Sequence, residues 1–309
     1  MITFFSTAKP FLGHNGITQR NALASWKRVH PDAEVILFGD DEGAEEVCRE
    51  LGLRHEPCRE EGAERVRRAD FMFQRAQEIG RNQLFCYANC DIVLMSDFRR
   101  ALEAVSAAEA KFLMVGRRWD TEIGEAIDFG DARWEEQVRK RATAARGQRD
   151  GGWIDYFAFS RGVYGADFPA LVVGRVYWDN WMVWKALEDG CAVVDASRSV
   201  MAVHQNHDYS HHPQGKQGVW GDDEAKRNLE RIGGWKHLRA IEDAALVLRA
   251  DGLRKNTGRH WCHFKRQVGG MRRWLVCYCW HPVWFFLLDV SRPMRTALGL
   301  RGKSAGPSK

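Results

Sequence analysis

The stretch FCYANCDIVL, residues 85–94, decides the fold prediction. Apolar residues on both sides of Asn89-Cys90-Asp91 are typical of a strand that is buried on both faces of a sheet. An ionised carboxylate in such a strand costs several kcal/mol unless a partner compensates its charge. Either the strand ends near Asn89, or Asp91 has a partner.

Strand-like and helix-like segments alternate before this stretch. The predicted strands are residues 2–7, 33–41 and 53–58, and the predicted helices end at His30-Pro31, Gly52 and Gly80. FCYANCDIVL is then the fourth strand of a βαβαβαβ series. Such a series predicts an α/β fold, with a mostly parallel sheet covered by helices on both faces.

The alternation continues in the second half of the chain. A helix from residue 97 to 110 leads into a fifth strand at 112–116 and then into residues 117–120. The thirty polar residues that follow, up to about 152, are interpreted as a helix plus a mobile loop. Further strands are predicted at 155–160, 191–197 and 199–205, with a helix at 178–190. The alternation of strands and helices is therefore expected to continue to about residue 205.

Composition places the chain among soluble globular proteins. Of its residues, 45% are hydrophobic and 28% are charged. Its length of 309 residues is enough for one large or two small domains. The start, MITFFSTAKPF, has no basic leader or cleavage site, so we predict no signal peptide. Eight cysteines without a CxxC pair favour reduced thiols and a cytoplasmic location.

Polar residues stand where the predicted strands end. Thr7 and Lys9 follow the first strand, Asp40 follows the second, and Asn89 and Asp91 follow the fourth. Ligands of open α/β sheets bind beyond the carboxyl ends of the strands, so we expect these residues to face one crevice. An acidic residue there can hold a divalent cation that binds a diphosphate.

The chain resembles the GT-A class of nucleotide-sugar glycosyltransferases over residues 1–212. In that class a DxD-like motif follows the fourth strand, and Asn89-Cys90-Asp91, with Ile92 and Val93 behind it, matches this position. The resemblance implies a GT-A-like fold. It also implies transfer of a sugar from a nucleoside diphosphate donor to a hydroxyl of a glycan or lipid-linked acceptor.

The resemblance assigns roles to the residues at the strand ends. It implies that Thr7, Lys9 and Asn89 lie near the nucleotide, that Asp40 lies near the base or ribose, and that Asp91 binds Mn²⁺ or Mg²⁺. Asn89 stands where the class has its first acidic residue, and a neutral amide is a weaker ligand than a carboxylate.

The second half supplies the remaining candidates of the resemblance. The helix at 178–190 is similar to the one that presents an acidic residue to the sugar, which makes Asp179 the first candidate for general base and Asp155 the second. An inverting transfer needs such a base, whereas a retaining one need not have it. In VHQNHDYSHH, residues 203–212, His204 and His207 match the position that completes the metal shell.

Several of these residues also have simpler interpretations. Asn89 and Asp91 would cap backbone amides in a turn, Asp179 would be the N-cap of its helix, and Lys9 would be a solvated loop residue. A zinc site built from histidines alone would use four side chains whose spacing matches no standard pattern, namely His204, His207, His211 and His212.

Two other functions remain open. A non-catalytic sugar-nucleotide or glycan binding protein would tolerate the neutral Asn89. A nucleotidyltransferase is disfavoured because no Gly-rich loop with a basic residue follows the first strand.

The C-terminal end differs in charge from the rest of the chain. Residues 254–309 hold twelve Lys and Arg side chains and one acidic side chain, Asp289. Their apolar part, 274–288, contains His281-Pro282 and is shorter than the ~20 residues that span a bilayer. We predict a helical segment, basic and apolar, that lies on an anionic membrane. Nucleic-acid binding favours apolar residues that are interleaved with charged ones, whereas the apolar residues here are contiguous. The alternative is a helix that packs on the body or on a second subunit.

The expected organisation has four parts. A GT-A-like domain covers residues 1–215, a helical extension covers 216–253, a membrane-associating segment covers 254–301, and a disordered tail covers 302–309. This predicts a cytoplasmic protein, peripheral on the inner face of the cell membrane, with no nucleic acid partner.

Overall fold

The computed structural model describes residues 1–57, 68–207 and 221–259. The strands are β1 (Ile2–Thr7), β2 (Glu34–Phe38), β3 (Arg54–Glu56), β4 (Leu84–Ala88), β5 (Ile92–Val93), β6 (Phe112–Val115), β7 (Arg118–Thr121), β8 (Tyr156–Ser160), β9 (Ala192–Asp195), β10 (Ala202–Gln205), β11 (Leu246–Arg249) and β12 (Gly252–Lys255). The helices are α1 (Gly13–Val29), α2 (Ala44–Leu51), α3 (Ala69–Ile79), α4 (Ser96–Ala108), α5 (Trp134–Ala144), α6 (Trp178–Glu188) and α7 (Asp223–Arg231), with 3₁₀ turns at Trp235–His237 and Ile241–Asp243.

The central sheet has nine strands in the order β12-β11-β9-β6-β8-β4-β1-β2-β3. Most neighbours are parallel, whereas β8 runs antiparallel to both β4 and β6, and β12 runs antiparallel to β11. The predicted α/β class with a mostly parallel sheet is therefore confirmed. Because β8 is reversed, its first residues lie at the same edge as the last residues of β1 and β4.

Helices cover both faces of this sheet, as predicted. One apolar cluster joins α1, α2 and α4 to one face, and a second joins α3 and α6 to the other. In α1 the apolar residues Ala22, Trp26 and Val29, at positions i, i+4 and i+7, form one buried face. The Trp26 ring stacks on Phe4 of β1 with ring centroids 5.5 Å apart, which fixes the helix over the first strand.

The stretch at residues 85–94 forms two strands rather than one. β4 ends at Ala88, and β5 belongs to a separate three-stranded sheet with the order β5-β10-β7. The fourth strand thus ends before Asn89, which was one of the two alternatives for this stretch, and Ile92 and Val93 do not belong to it. The chain leaves the central sheet at Asn89-Cys90-Asp91 and enters the small sheet. This turn puts polar side chains at the junction of the two sheets instead of inside a strand.

Two other segments differ from the prediction. β7 was not predicted as a strand, because its residues lack an apolar alternation. The helix expected in the stretch that follows it, up to about residue 152, is α5. Residues 216–253, expected to be helical, include α7 but also β11 and the start of β12. Ala250 and Asp251 connect β11 to β12, since Arg249 pairs with Gly252, and Gly252 has a φ of 106°, which glycine adopts readily.

The predicted membrane-associating segment begins inside this hairpin, since Arg254 and Lys255 belong to β12 and pair with β11. The segment's boundary at residue 254 is corrected accordingly. Residues 260–309 lie outside the described residues, so membrane contact and a disordered tail stay predictions. The described residues up to Thr257 belong to one compact unit. In the part of the chain that the structure describes, no helix combines the length and apolar character needed to cross a membrane.

Replacing Trp26 by Phe tests how α1 holds the turn between the sheets. The fully buried indole Nε1 donates a hydrogen bond to the Ile92 carbonyl at 2.9 Å. Phe keeps most of the packing but removes the donor, so we expect the free energy of unfolding to fall by about 1–3 kcal/mol in urea denaturation. Trp235→Phe is the control, since Trp235 is exposed and its replacement should change stability by less than about 0.5 kcal/mol. Equal stability of the two variants would contradict this role.

Candidate active site

A cavity of about 610 Å³ opens at the edge where β1 and β4 end and β8 begins. Its walls come from the ends of these strands, from β10, and from the loop that leads into α6. The predicted site residues that line it are Thr7, Lys9, Asn89, Asp91, Asp155, Asp179, His204 and His207. The structure therefore brings together residues that lie up to 200 positions apart in the sequence.

Asp40 is not among the residues that line the cavity. It is exposed in the loop after β2, at the same sheet edge as Thr7, because Thr7 pairs with Phe38. The predicted contact of Asp40 with a base or ribose stays a prediction. His211 and His212, the other two members of the zinc alternative, lie outside the described residues.

The loop after β1 is held by side chains from its surroundings. The buried Gln19 of α1 accepts a hydrogen bond from the Lys9 backbone N–H at 2.6 Å and donates one to the Lys9 carbonyl at 2.9 Å. Ser6 Oγ donates to the Ala88 carbonyl at 2.6 Å and joins the ends of β1 and β4. The backbone that carries Thr7 and Lys9 is thereby fixed at the cavity wall.

Asp91, His204 and His207 form a ligand cluster whose donor atoms all lie within 4.8 Å of one another. Asp91 Oδ2 lies 3.7 Å from His204 Nε2 and 3.2 Å from His207 Nε2. Gln205 fixes the backbone of Asp91 by donating to its carbonyl from both the main-chain N–H and the side-chain amide. The two sheets thus place a carboxylate and two imidazoles around one point.

The environment of Asp91 suits a cation. Burial would raise the pKa of Asp91, but His204, His207 and Lys9 outweigh it and hold the pKa well below its usual range. Asp91 Oδ1 is buried and has no hydrogen-bond partner among the described residues. A carboxylate and neutral imidazoles are ligands of Mn²⁺ and related divalent ions, so the ligand cluster fits the expected cation.

Asn89 has its side-chain amide occupied by neighbours. Its Oδ1 accepts from the Tyr87 hydroxyl at 3.0 Å, and its Nδ2 donates to Asp155 Oδ1 at 2.6 Å. Replacing this amide by a carboxylate would set two negative charges against each other. The departure from the acidic motif therefore fits the position of Asp155, and a nucleotide contact of Asn89 stays a prediction.

Asp155 is also bound by Arg118. Arg118 Nη1 donates to Asp155 Oδ2 at 2.9 Å, so both carboxylate oxygens of Asp155 accept hydrogen bonds. Burial would lower the pKa of Arg118, but the charges of Asp155 and Asp120 raise it well above its usual value. A carboxylate engaged in this way is a weaker candidate for general base than one that is protonatable near neutral pH.

Asp179 is such a carboxylate. α6 begins at Trp178, so Asp179 lies in the first helical turn and is not the N-cap, which is Tyr177 in the left-handed region with a φ of 84°. Burial in the cavity wall raises the pKa of Asp179 to about 7, with the negative charge of Asp155 acting in the same direction. Of the two predicted base candidates, Asp179 has the raised pKa, whereas both oxygens of Asp155 accept hydrogen bonds. The role of general base stays a prediction.

The sequence prediction missed Arg118 and Asp120 of β7. Both are buried, with exposures of 7% and 6%, and Asp120 faces His204. Arg118-Trp119-Asp120 places two opposite charges two residues apart, which puts both on one face of a strand. This spacing of charges is a signal of a strand. The residues around it lack the alternation of apolar and polar residues by which a strand is identified.

Aromatic side chains form part of the cavity wall. Trp235 lines the cavity and is 67% exposed, and its ring meets Tyr177 edge to face with centroids 5.2 Å apart. Asn180 anchors the 3₁₀ turn that carries Trp235, since it exchanges two hydrogen bonds with the backbone of Arg239. The indole is thus presented to solvent on a fixed support.

No protein-family model matches the chain, and no curated protein matches it either. Solved structures to which it is similar include glucosyl-3-phosphoglycerate synthase from Mycobacterium tuberculosis in complex with Mn²⁺, UDP-glucose and phosphoglyceric acid. The identity is 14% and the TM-score 0.47, with 76% of this chain and 80% of that chain covered.

Staphylococcus aureus TarS 1-349 is similar at 8% identity and a TM-score of 0.44, with 66% of this chain covered. Its complex with UDP-GlcNAc is similar at 6% identity and a TM-score of 0.43, with 67% covered. The chain spans only 60% and 58% of the length of these two TarS chains. At such identities the likeness concerns the path of the chain, and the ligands belong to those proteins.

Proposed function

We propose that the protein is a glycosyltransferase that moves a sugar from a nucleoside diphosphate donor to a hydroxyl of a glycan or lipid-linked acceptor. The observation that carries the proposal is the convergence of Asp91, His204 and His207 in one cavity that also contains Asp179. A cation-binding cluster and a carboxylate protonatable near pH 7 are the two parts that a metal-assisted inverting transfer needs.

The donor would lie on the side of the cavity formed by β1 and β4. Asp91, His204 and His207 would hold Mn²⁺ or Mg²⁺ there, and the ion would supply positive charge to a departing diphosphate. Lys9 lines the same wall, and Gln19 fixes its backbone. Its ammonium group is proposed to contact the same phosphates. Thr7 is proposed to contact the nucleotide from the end of β1.

The acceptor would enter from the side of α6. Asp179 would accept the proton of the attacking hydroxyl, since its raised pKa makes it a stronger base than an ordinary carboxylate. Tyr177 and the exposed Trp235 offer flat apolar surfaces with polar edges, which suit the faces of sugar rings. These two rings favour a saccharide as the group that is bound on this side.

The location of the acceptor is a separate part of the proposal. The basic charge of residues 254–309 supports contact with an anionic membrane, on the cytoplasmic face, where a lipid-linked acceptor would be presented. Only the charge and the contiguous apolar run in the sequence support this contact.

A non-catalytic sugar-nucleotide binding protein is the competing proposal. The neutral Asn89 favours it, because a binding protein needs no full set of metal ligands. The raised pKa of Asp179 favours catalysis, because binding alone does not require a protonatable carboxylate in the cavity. Release of free sugar or transfer product from nucleotide sugars, measured with and without EDTA, separates the two.

Replacing Asp91 by Asn tests the cation site. We expect wild-type protein to melt at a higher temperature with Mn²⁺ plus at least one member of a panel of nucleotide sugars, because a ligand at 100 times its Kd stabilises by about 2.7 kcal/mol. Asp91→Asn removes the charged ligand with little change in shape, so the Mn²⁺-dependent part of this stabilisation should disappear.

Asp32→Asn is the matched control, because Asp32 is an exposed aspartate far from the cavity lining. Its melting curves should match those of wild type with and without ligands. A full Mn²⁺-dependent shift in Asp91→Asn would overturn the assignment of Asp91 as a metal ligand.

The pH dependence of turnover tests Asp179. With a pKa of about 7 the carboxylate is protonated below neutral pH, so the rate should fall about tenfold per pH unit below pH 7 and level off above it. Asp179→Asn should lower kcat by about 10²–10⁴-fold and abolish this limb of the profile. Rates of sugar transfer between pH 5 and 9 provide the measurement.

Glu188→Gln provides the control on the same helix, since Glu188 is exposed at the end of α6. It should keep the wild-type profile. If the rate of the Asp179→Asn enzyme still falls below pH 7, another group accepts the proton.

A further inference from the structure

We infer that Asp120 is a positioning residue for the cation site: it holds His204 in the orientation that directs Nε2 toward the metal position beside Asp91. The inference rests on the proposed function, because it requires that the ligand cluster binds a cation. It assigns a role to two residues of β7, Asp120 and Arg118, neither of which is itself a proposed ligand.

The small sheet places these residues in one row. In the register of β10 with β7, His204 lies opposite Asp120, and in the register of β10 with β5, His204 lies opposite Ile92, the neighbour of Asp91. Cross-strand partners project to the same face of a sheet. His204 and Asp120 therefore project to the same face, and Asp91 approaches His204 from the turn that precedes β5.

Both ring nitrogens of His204 face a carboxylate. Nδ1 lies 3.4 Å from Asp120 Oδ1, and Nε2 lies 3.7 Å from Asp91 Oδ2. A neutral imidazole that directs its Nδ1–H toward Asp120 leaves the Nε2 lone pair for a cation. A histidine ligand is commonly oriented in this way by a second carboxylate that does not itself bind the metal.

Asp120 is in turn held by two arginines. Arg149 Nε donates to Asp120 Oδ2 at 2.6 Å, and Arg118 Nε lies 2.8 Å from Asp120 Oδ1. Both guanidinium groups lie over the Trp153 ring, at 4.7 Å and 5.7 Å from its centroid. The Asp120 carboxylate is buried and cannot turn away from His204 without breaking these pairs.

A purely structural role is the alternative for Asp120. In that role it would only compensate the charge of the two arginines, and its loss would lower stability without changing cation affinity. Mn²⁺ binding measured apart from turnover separates the two roles.

The experiment titrates Mn²⁺ into the full chain and follows free Mn²⁺ by its electron paramagnetic resonance signal. Asp120→Asn keeps the shape and removes the charge that orients Nδ1. We expect the Kd for Mn²⁺ to rise about 10–100-fold. Glu34→Gln is the matched control. Glu34 is a buried carboxylate that pairs with Arg81, and it is the first residue of β2, at the sheet edge opposite the cavity. The Kd of this variant for Mn²⁺ should equal that of wild type.

Each outcome bears on a different statement. Wild-type affinity in Asp120→Asn overturns the positioning role and leaves the proposed function standing. A wild-type protein that binds no Mn²⁺ overturns the cation site itself and the positioning role with it. If Asp120→Asn does not fold, Arg149→Gln replaces it, because Arg149 is half exposed; weaker Mn²⁺ binding then supports the role, and unchanged binding overturns it.

Discussion

Compensation of buried negative charge by Arg118 is the constraint on which the cavity depends. Asp120 and Asp155 are both buried, and the Arg118 guanidinium lies within 2.9 Å of each of them. Removing a partner from such a group leaves a buried uncompensated charge, which costs about 3–5 kcal/mol. Asp155 also accepts a hydrogen bond from Asn89, which follows β4. The Arg118 side chain therefore links the end of β4, the start of β8 and the small sheet.

The site lies at the junction of two sheets. The central sheet supplies the ends of β1, β4 and β8, as expected for an open α/β sheet, whereas the small sheet supplies the imidazoles and the charges behind them. The turn at Asn89-Cys90-Asp91 belongs to both. The polar residues that interrupt an apolar stretch are thus explained by a change of sheet, and Asp91 has its partners in the second sheet.

Sequence predicted much of the frame because its signals are local. The helical stripe of α1 and the alternation of strands with helices up to β4 follow from the spacing of apolar residues, and the strand ends then indicate the cavity. The pairing of Asp91 with His204 and His207 followed from a family resemblance instead. β7 was not predictable in this way, because Arg118 and Asp120 are buried against partners that are distant in sequence, such as Asp155 and His204.

The order of strands along the chain has a consequence for biosynthesis. β10 enters the small sheet between β5 and β7, and it brings His204 and then His207 after every other strand of that sheet has been made. Domains fold largely as units as the chain leaves the ribosome. A nascent chain that has not yet exposed residue 204 therefore lacks both imidazoles, and one that ends before residue 207 still lacks the second. Binding of the proposed cation by all three side chains would therefore follow the closing of the small sheet.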